Sequence, residues 1–171
     1  TLTGDSSLKK RPMQPLLDAL ESLGAQCNSS SGNPPISVKG RIKGGKVKIS
    51  GKISSQFISA LMITAPKLED GLIIDIDGKL VSKPYIDATI TTMKKFGVDV
   101  EAKTPYKKYI IPEQNYKSTT LTIPSDFSSL ALLLAAAVLI GENLTIKAST
   151  GSMPQADEAI IDILETMGVV I

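Results

Sequence analysis

Ser54, Ser55 and Gln56 stand together in KISSQFISALMITAP (52–66), three polar side chains directly ahead of an apolar run with helical spacing. The first turn of a helix leaves backbone N–H groups without partners and carries the positive end of the macrodipole, so hydroxyls and amides placed there suit an anion. Related groupings recur along the chain. Arg11 precedes Pro12, Ser82 and Lys83 precede Pro84 with Tyr85 following, and Ser125 with Asp126 opens another apolar run. Gathered at one edge of a fold, these side chains would hold a phosphate. Each also has a plainer reading: a serine at a helix start is ordinarily a cap, a lone arginine is ordinarily solvated, and Tyr85 can pack against a strand with its hydroxyl at the edge. What favours function at 54–56 is surplus. One hydroxyl caps the helix, and the long amide of Gln56 is not needed for that.

Other chemistry is closed or weak. The 171 residues contain no histidine, which removes imidazole bases, Ser-His-Asp triads and histidine metal ligands. Proton transfer would fall to carboxylates or lysines. Nineteen basic against seventeen acidic residues leave a formal charge of +2, and four Tyr and three Phe without Trp offer no paired stacking platforms near a basic groove. Neither a nucleic acid nor a membrane is an expected partner. The apolar run at 130–140 is too short to span a bilayer, and residues 1–10 have no hydrophobic signal core. A single cysteine, Cys27, excludes an internal disulfide framework, fits a reducing compartment such as the cytoplasm, and is read as buried and inert. GRIKGGKV (40–47) approaches a phosphate-binding loop but has Val47 where Ser or Thr must hold magnesium, with a strand rather than a helix after it. The basic residues between 39 and 52 alternate with Val38, Ile42, Val47 and Ile49 around Gly44 and Gly45, the pattern of a hairpin with one wet face. Glu69, Asp70, Asp75 and Asp77 lack calcium-loop spacing and read as turn and strand exterior, while Met62, Met93, Met153 and Met167 read as core filler. No metal site is indicated by these residues.

The elements that must position the polar groups repeat. RPMQPLLDALESLGAQC (11–27), KPYIDATITTMKKFGVDV (83–100) and MPQADEAIIDILETMGVVI (153–171) each place a proline in the first helical turn, continue with helix-spaced apolar residues, end at glycine and pass into a short strand. Pro12, Pro84 and Pro154 are 72 and 70 residues apart; Gly24, Gly97 and Gly168 are 73 and 71 apart. A second helix keeps the same step, 54–66 matching 124–141 with Phe57 against Phe127. Strands are expected at 36–51, in GLIIDID, at 107–123 and in NLTIKAS. A period of about 72 residues with alternating strands and helices gives an α/β (α+β) fold with helices packed on sheets. The chain opens and closes partway through a unit, so it is expected to be a part of a longer protein with about two complete units.

RPM (11–13), GKISSQFISALMITAP (51–66) and LVSKPYIDATITTMKKFGVDV (80–100) resemble the 5-enolpyruvylshikimate-3-phosphate (EPSP) synthase family, and the likeness runs over essentially the whole chain. SSQF and VSKPYID are distinctive within that family; the related UDP-N-acetylglucosamine enolpyruvyl transferases share the fold but not these strings. The resemblance implies two domains, each of three βαβαββ units about a pseudo-threefold axis, with substrates in the cleft between them. It implies that residues 1–153 form part of the N-terminal domain, about two of its three units, and that 154–171 begin the C-terminal domain. It implies transfer of the carboxyvinyl group of phosphoenolpyruvate to the 5-hydroxyl of shikimate-3-phosphate, without metal or organic cofactor. By position Ser54, Ser55 and Ser82 resemble the hydroxyls that bind the shikimate-3-phosphate phosphate. Gln56 resembles the amide between the two substrates, Tyr85 the tyrosine beside the shikimate ring, and Arg11 the arginine that grips phosphoenolpyruvate. The family's proton-transfer residues and most of its phosphoenolpyruvate ligands have no counterpart in this sequence, so no catalytic residue is assigned. The chain is expected to supply mainly the shikimate-3-phosphate side, to be inactive alone, and to need the remainder of the enzyme. Two other readings stand beside this one: a non-catalytic α/β repeat module in which residues 54–56 only cap a helix, and an enolpyruvyl transferase with a different acceptor.

Overall fold

The computed structural model describes residues 1–141, 144–149 and 153–171. They form two compact units, Thr1–Ser118 and Thr119–Ile171. In the first, an antiparallel pair, β1 (Gln26–Ser30) with β2 (Asn33–Lys39), accompanies a four-stranded sheet of β3 (Gly45–Ser50), β4 (Leu72–Asp77), β5 (Glu101–Thr104) and β6 (Lys108–Ile111) in the order β3-β4-β6-β5. β3 and β4 run parallel; β6 is antiparallel to both β4 and β5. Three helices belong to this unit: α1 (Gln14–Ser22), α2 (Ser55–Thr64) and α3 (Lys83–Lys95). From β3 the chain therefore reads β3-α2-β4-α3-β5-β6, one complete βαβαββ run. The four elements before it repeat the second part of that run: Leu2 bridges antiparallel to Ile36, and α1, β1 and β2 follow in the places of α3, β5 and β6. α4 (Phe127–Ile140) belongs to the second unit, and the alternation of helices and strands matches the expected α/β fold.

Strand alternation explains why the sheet has one dry face. Val47, Ile74 and Tyr109 lie opposite one another across β3, β4 and β6, and all three are fully buried. Onto that face pack Ile58, Leu61 and Met62 of α2, Ile86 and Met93 of α3, and Ala19 of α1, in a single core. One residue along, Lys48, Asp75 and Lys108 face the other way. There Lys46 and Lys108 pair with Asp75 at 3.0 and 3.7 Å, and Lys48 pairs with Asp77 at 3.4 Å. The acids and lysines of this region thus cover the wet face and the β3 edge, as strand exterior.

Several expectations are corrected. Pro12 lies ahead of α1, whose first turn holds Pro15 instead; Pro84 does sit in the first turn of α3, while Pro154 precedes a short 3-10 turn, Ala156–Ala159, that leads into the expected helix, α5 (Ile160–Thr166). Residues 36–51 do not form a hairpin, because β2 pairs back to β1 and β3 pairs forward to β4, placing the Gly44-Gly45 turn between two sheets. Only Lys108–Ile111 of the 107–123 segment is a strand. Residues 144–149 and 169–171 are not strands, and Asn143 lies outside the described residues. The three glycines fare better: Gly24, Gly97 and Gly168 all have positive φ just after their helices. In the second unit Asp126, not Ser125, caps α4, accepting from Ser128 N–H at 3.0 Å, and Met167 is exposed rather than core.

Two outcomes test this arrangement. Ile74→Ala, which empties a fully buried position in the central strand, should lower unfolding stability by about 2–5 kcal/mol, and Lys48→Ala on the wet face by no more than about 0.5 kcal/mol, read from urea transitions. Hydrogen bonding to Lys46, which outweighs the opposing effect of partial burial, holds the Asp75 carboxyl below the ordinary aspartate value, with the Lys108 charge helping. Its contribution is therefore present above the unfolded aspartate pKa and is lost as pH falls through the lower folded value. Asp75→Asn should flatten the loss of stability on acidification; an unchanged acid slope in urea midpoints measured down to about pH 2 would contradict this.

Candidate anion site

Parallel pairing makes β3 and β4 end side by side, and each strand runs into a helix. After β3 come Gly51, Lys52 and Ile53, then α2; after β4 come residues 78–81, then α3. The two connections touch: Val81 N–H donates to Gly51 C=O at 3.0 Å, and Gly51 N–H donates to Asp77 C=O at 2.9 Å. A Cβ at Gly51 would lie 2.8 Å from Ile76 Cγ2 and 3.0 Å from Leu80 Cα, so only glycine permits this approach. Further along, Ser59 and Thr89 hydroxyls bond at 2.8 Å between α2 and α3. Two helix N-termini are consequently held next to each other at the C-terminal ends of neighbouring parallel strands, where open α/β sheets bind ligands.

Residues 54–56 and 82–85 belong to this junction. Ser54 caps α2, with extended backbone and its Oγ accepting from Gln56 N–H at 3.2 Å. Ser55 is buried, its side chain without a hydrogen-bond partner among the described residues, and Gln56 is exposed with its amide likewise unpartnered. Division of labour follows the sequence argument: one serine caps, and the second serine and the glutamine are spare. Ser82 occupies the N-cap position of α3 in left-handed geometry (φ 55°, ψ 49°) and makes no side-chain cap bond. A capping residue typically has an extended backbone, and the Ser82 hydroxyl likewise has no hydrogen-bond partner among the described residues. Tyr85 is 52% exposed and lines an apolar hollow between α2 and α3 with Ile63, Thr92 and Phe96, rather than packing on a strand.

Arg11 belongs to a different segment. It follows a 3-10 turn (Leu8–Lys10) ahead of α1, donates its backbone N–H to Leu8 C=O at 3.1 Å, and lies beside Asp5 and Ser7 with an exposed side chain. Among the described residues no interaction joins Arg11 to residues 54–56 or 82–85. No group of three or more Cys, Asp or Glu suited to a metal is found among the described residues either. Cys27 is half-buried in β1, and burial together with the nearby Glu21 charge pushes its thiol above the usual range, away from reactive thiolate. No helix among the described residues is long and apolar enough to cross a membrane.

The sequence matches the family model described as EPSP synthase (3-phosphoshikimate 1-carboxyvinyltransferase) over residues 1–171. The chain belongs to the EPSP synthase family. It is 61% identical over its whole length to the 3-phosphoshikimate 1-carboxyvinyltransferase of Nitrosopumilus maritimus, and 46% identical over 97% of its length to that of Methanosphaera stadtmanae. Among solved structures it is similar to the EPSP synthase of Acinetobacter baumannii, with 26% identity and a TM-score of 0.67 over 97% of this chain and 36% of that one. The chain spans about 40% of the length of the curated relatives. Family membership thus agrees with the resemblance carried by SSQF and VSKPYID.

Sequence reasoning passed over three contributors to the EPSP synthase junction: Gly51, the Ser59–Thr89 bond, and Tyr106, whose hydroxyl donates to Asp87 Oδ2 at 2.9 Å. Only Gly51 left a trace, as a glycine directly between strand and helix. The rest arise from pairs distant in sequence. If Ser54 alone caps α2, Ser54→Ala should cost about 0.5–2 kcal/mol, while Gln56→Ala should stay within about 0.5 kcal/mol, both measured by urea unfolding.

Proposed function

We propose that this chain forms the shikimate-3-phosphate side of a 3-phosphoshikimate 1-carboxyvinyltransferase. In the reaction, the 5-hydroxyl oxygen of shikimate-3-phosphate bonds to the carboxyvinyl carbon of phosphoenolpyruvate and inorganic phosphate leaves. The observation that carries the reading is the set of unspent polar side chains, Ser55, Gln56 and Ser82, beside two adjoining helix N-termini in a chain of this family. Hydroxyl donors and aligned backbone dipoles would fix the phosphate, Tyr85 would flank the ring, and the ring hydroxyl would remain free to react. Arg11 is assigned to phosphoenolpyruvate.

No residue of this chain is assigned proton transfer, and no cofactor is invoked. We assign residues 1–153 to the shikimate-3-phosphate-binding domain, 154–171 to the start of the second domain, and the whole enzyme to the cytoplasm, in aromatic amino-acid biosynthesis. Its partners are the two substrates and the remaining part of the same enzyme. The chain alone should show no carboxyvinyl transfer.

Titrating shikimate-3-phosphate into the isotope-labelled chain tests the assignment. Saturable amide shifts should centre on residues 54–56 and 82–85, and Ser55→Ala should weaken binding about tenfold, the order of a lost hydrogen bond to a charged group. Shifts absent there, or the same response to a nucleotide sugar, would overturn it in favour of a capping-only module or another acceptor.

A further inference from the structure

The turn from β5 to β6 contains a residue that its backbone disfavours. Thr104 C=O accepts from Lys107 N–H at 3.0 Å, Pro105 stands second, and Tyr106 stands third with φ 59°. A turn with positive φ in third place ordinarily takes glycine or asparagine, and a bulky side chain there is strained. In the corresponding turn from β1 to β2, the positive-φ residues are Ser31 and Gly32, both small. Tyr106 is instead locked in place: its N–H donates at 3.0 Å to the hydroxyl of Tyr109, itself fully buried.

What the strained geometry achieves is visible at α3. The Tyr106 ring lies under the Lys83 ammonium, 4.7 Å from nitrogen to ring centre, and its hydroxyl donates to Asp87 Oδ2 at 2.9 Å. Lys83 and Asp87 are one helical turn apart and would ordinarily pair with each other. Among the described residues they do not; Tyr106 stands as partner to both. The same turn grips the chain ahead of α3, because Lys107 Nζ donates to Gly78 C=O at 2.5 Å and Lys107 C=O accepts from Ile76 N–H at 2.7 Å. Hydrogen bonding to Asp87 pushes the Tyr106 hydroxyl above the usual tyrosine value, which keeps it a donor. Both sides of the left-handed Ser82 are thereby tied to one turn.

We propose that Tyr106 is a positioning residue for the anion site, holding Lys83 through its ring and Asp87 through its hydroxyl so that the start of α3 presents Ser82 and Tyr85. This rests on the shikimate-3-phosphate site proposed above. A strained backbone over-determined by its surroundings is the expected mark of such a role.

The test compares wild type, Tyr106→Phe, which keeps the ring and loses the hydroxyl, and Lys83→Met, which removes the cation, all in the labelled 171-residue chain. Tyr106→Phe should shift the amides of Ser82, Lys83 and Tyr85 without ligand, and should raise the shikimate-3-phosphate dissociation constant about three- to tenfold, the range of a single hydrogen bond. Lys83→Met should do the same. A packing role alone would lower the melting temperature of Tyr106→Phe while leaving the dissociation constant of folded protein unchanged, and that result overturns the proposal with the site intact. If the wild type itself shows no saturable shifts at residues 54–56, the site falls, and the assignment of Tyr106 to it falls too.

Discussion

Gly51 and Val81 share a backbone hydrogen bond of 3.0 Å, and no side chain at Gly51 could be accommodated there. That contact ties the ends of β3 and β4 together, and from it follow the adjoining starts of α2 and α3. Its foundation is the parallel register of the two strands, which the buried row of Val47, Ile74 and Tyr109 fixes by keeping all three under the helices. A slip of one residue would place Lys48 and Asp75 in the core, an arrangement that burial of charge forbids.

Within this frame, the polar residues separate by what their backbones allow. Ser54 is extended and caps; Ser82 is left-handed and does not. Ser55 is buried beside the cap, its side chain without a hydrogen-bond partner among the described residues, and Gln56 is exposed. The same two helix starts thus hold together three hydroxyls of which one is committed to the fold. The ligand proposed for them carries a phosphate of matching chemistry. The turn at Tyr106 adds a brace on the α3 side; on the α2 side the rigid elements are Gly51 and the Ser54 cap.

Much of this was legible in the sequence because it is local. Helix-spaced apolar residues located α1, α2, α3, α4 and α5, and the glycines at 24, 97 and 168, with positive φ, marked the ends of α1, α3 and α5. Apolar alternation likewise placed β3 and β4. Strand partners were less legible, since pairing depends on the whole sheet: Gly44-Gly45 looks like a hairpin turn but leads from one sheet to another. The caps illustrate the same limit. SS and SD are similar signals, yet Ser54 caps α2 whereas Asp126 caps α4, because α2 begins two residues ahead of Phe57 while α4 begins at Phe127. Tyr106 was unreadable for a different reason: its importance lies in a left-handed φ and in Lys83 and Asp87, none of which the string TPYKK displays.

The central claim is that one phosphate is shared by the starts of α2 and α3. A crystal structure of the chain with shikimate-3-phosphate measures this directly. Phosphate oxygens within about 3 Å of the hydroxyls of both Ser55 and Ser82 would bear the account out. Phosphate density at one helix only, or away from both, would contradict it.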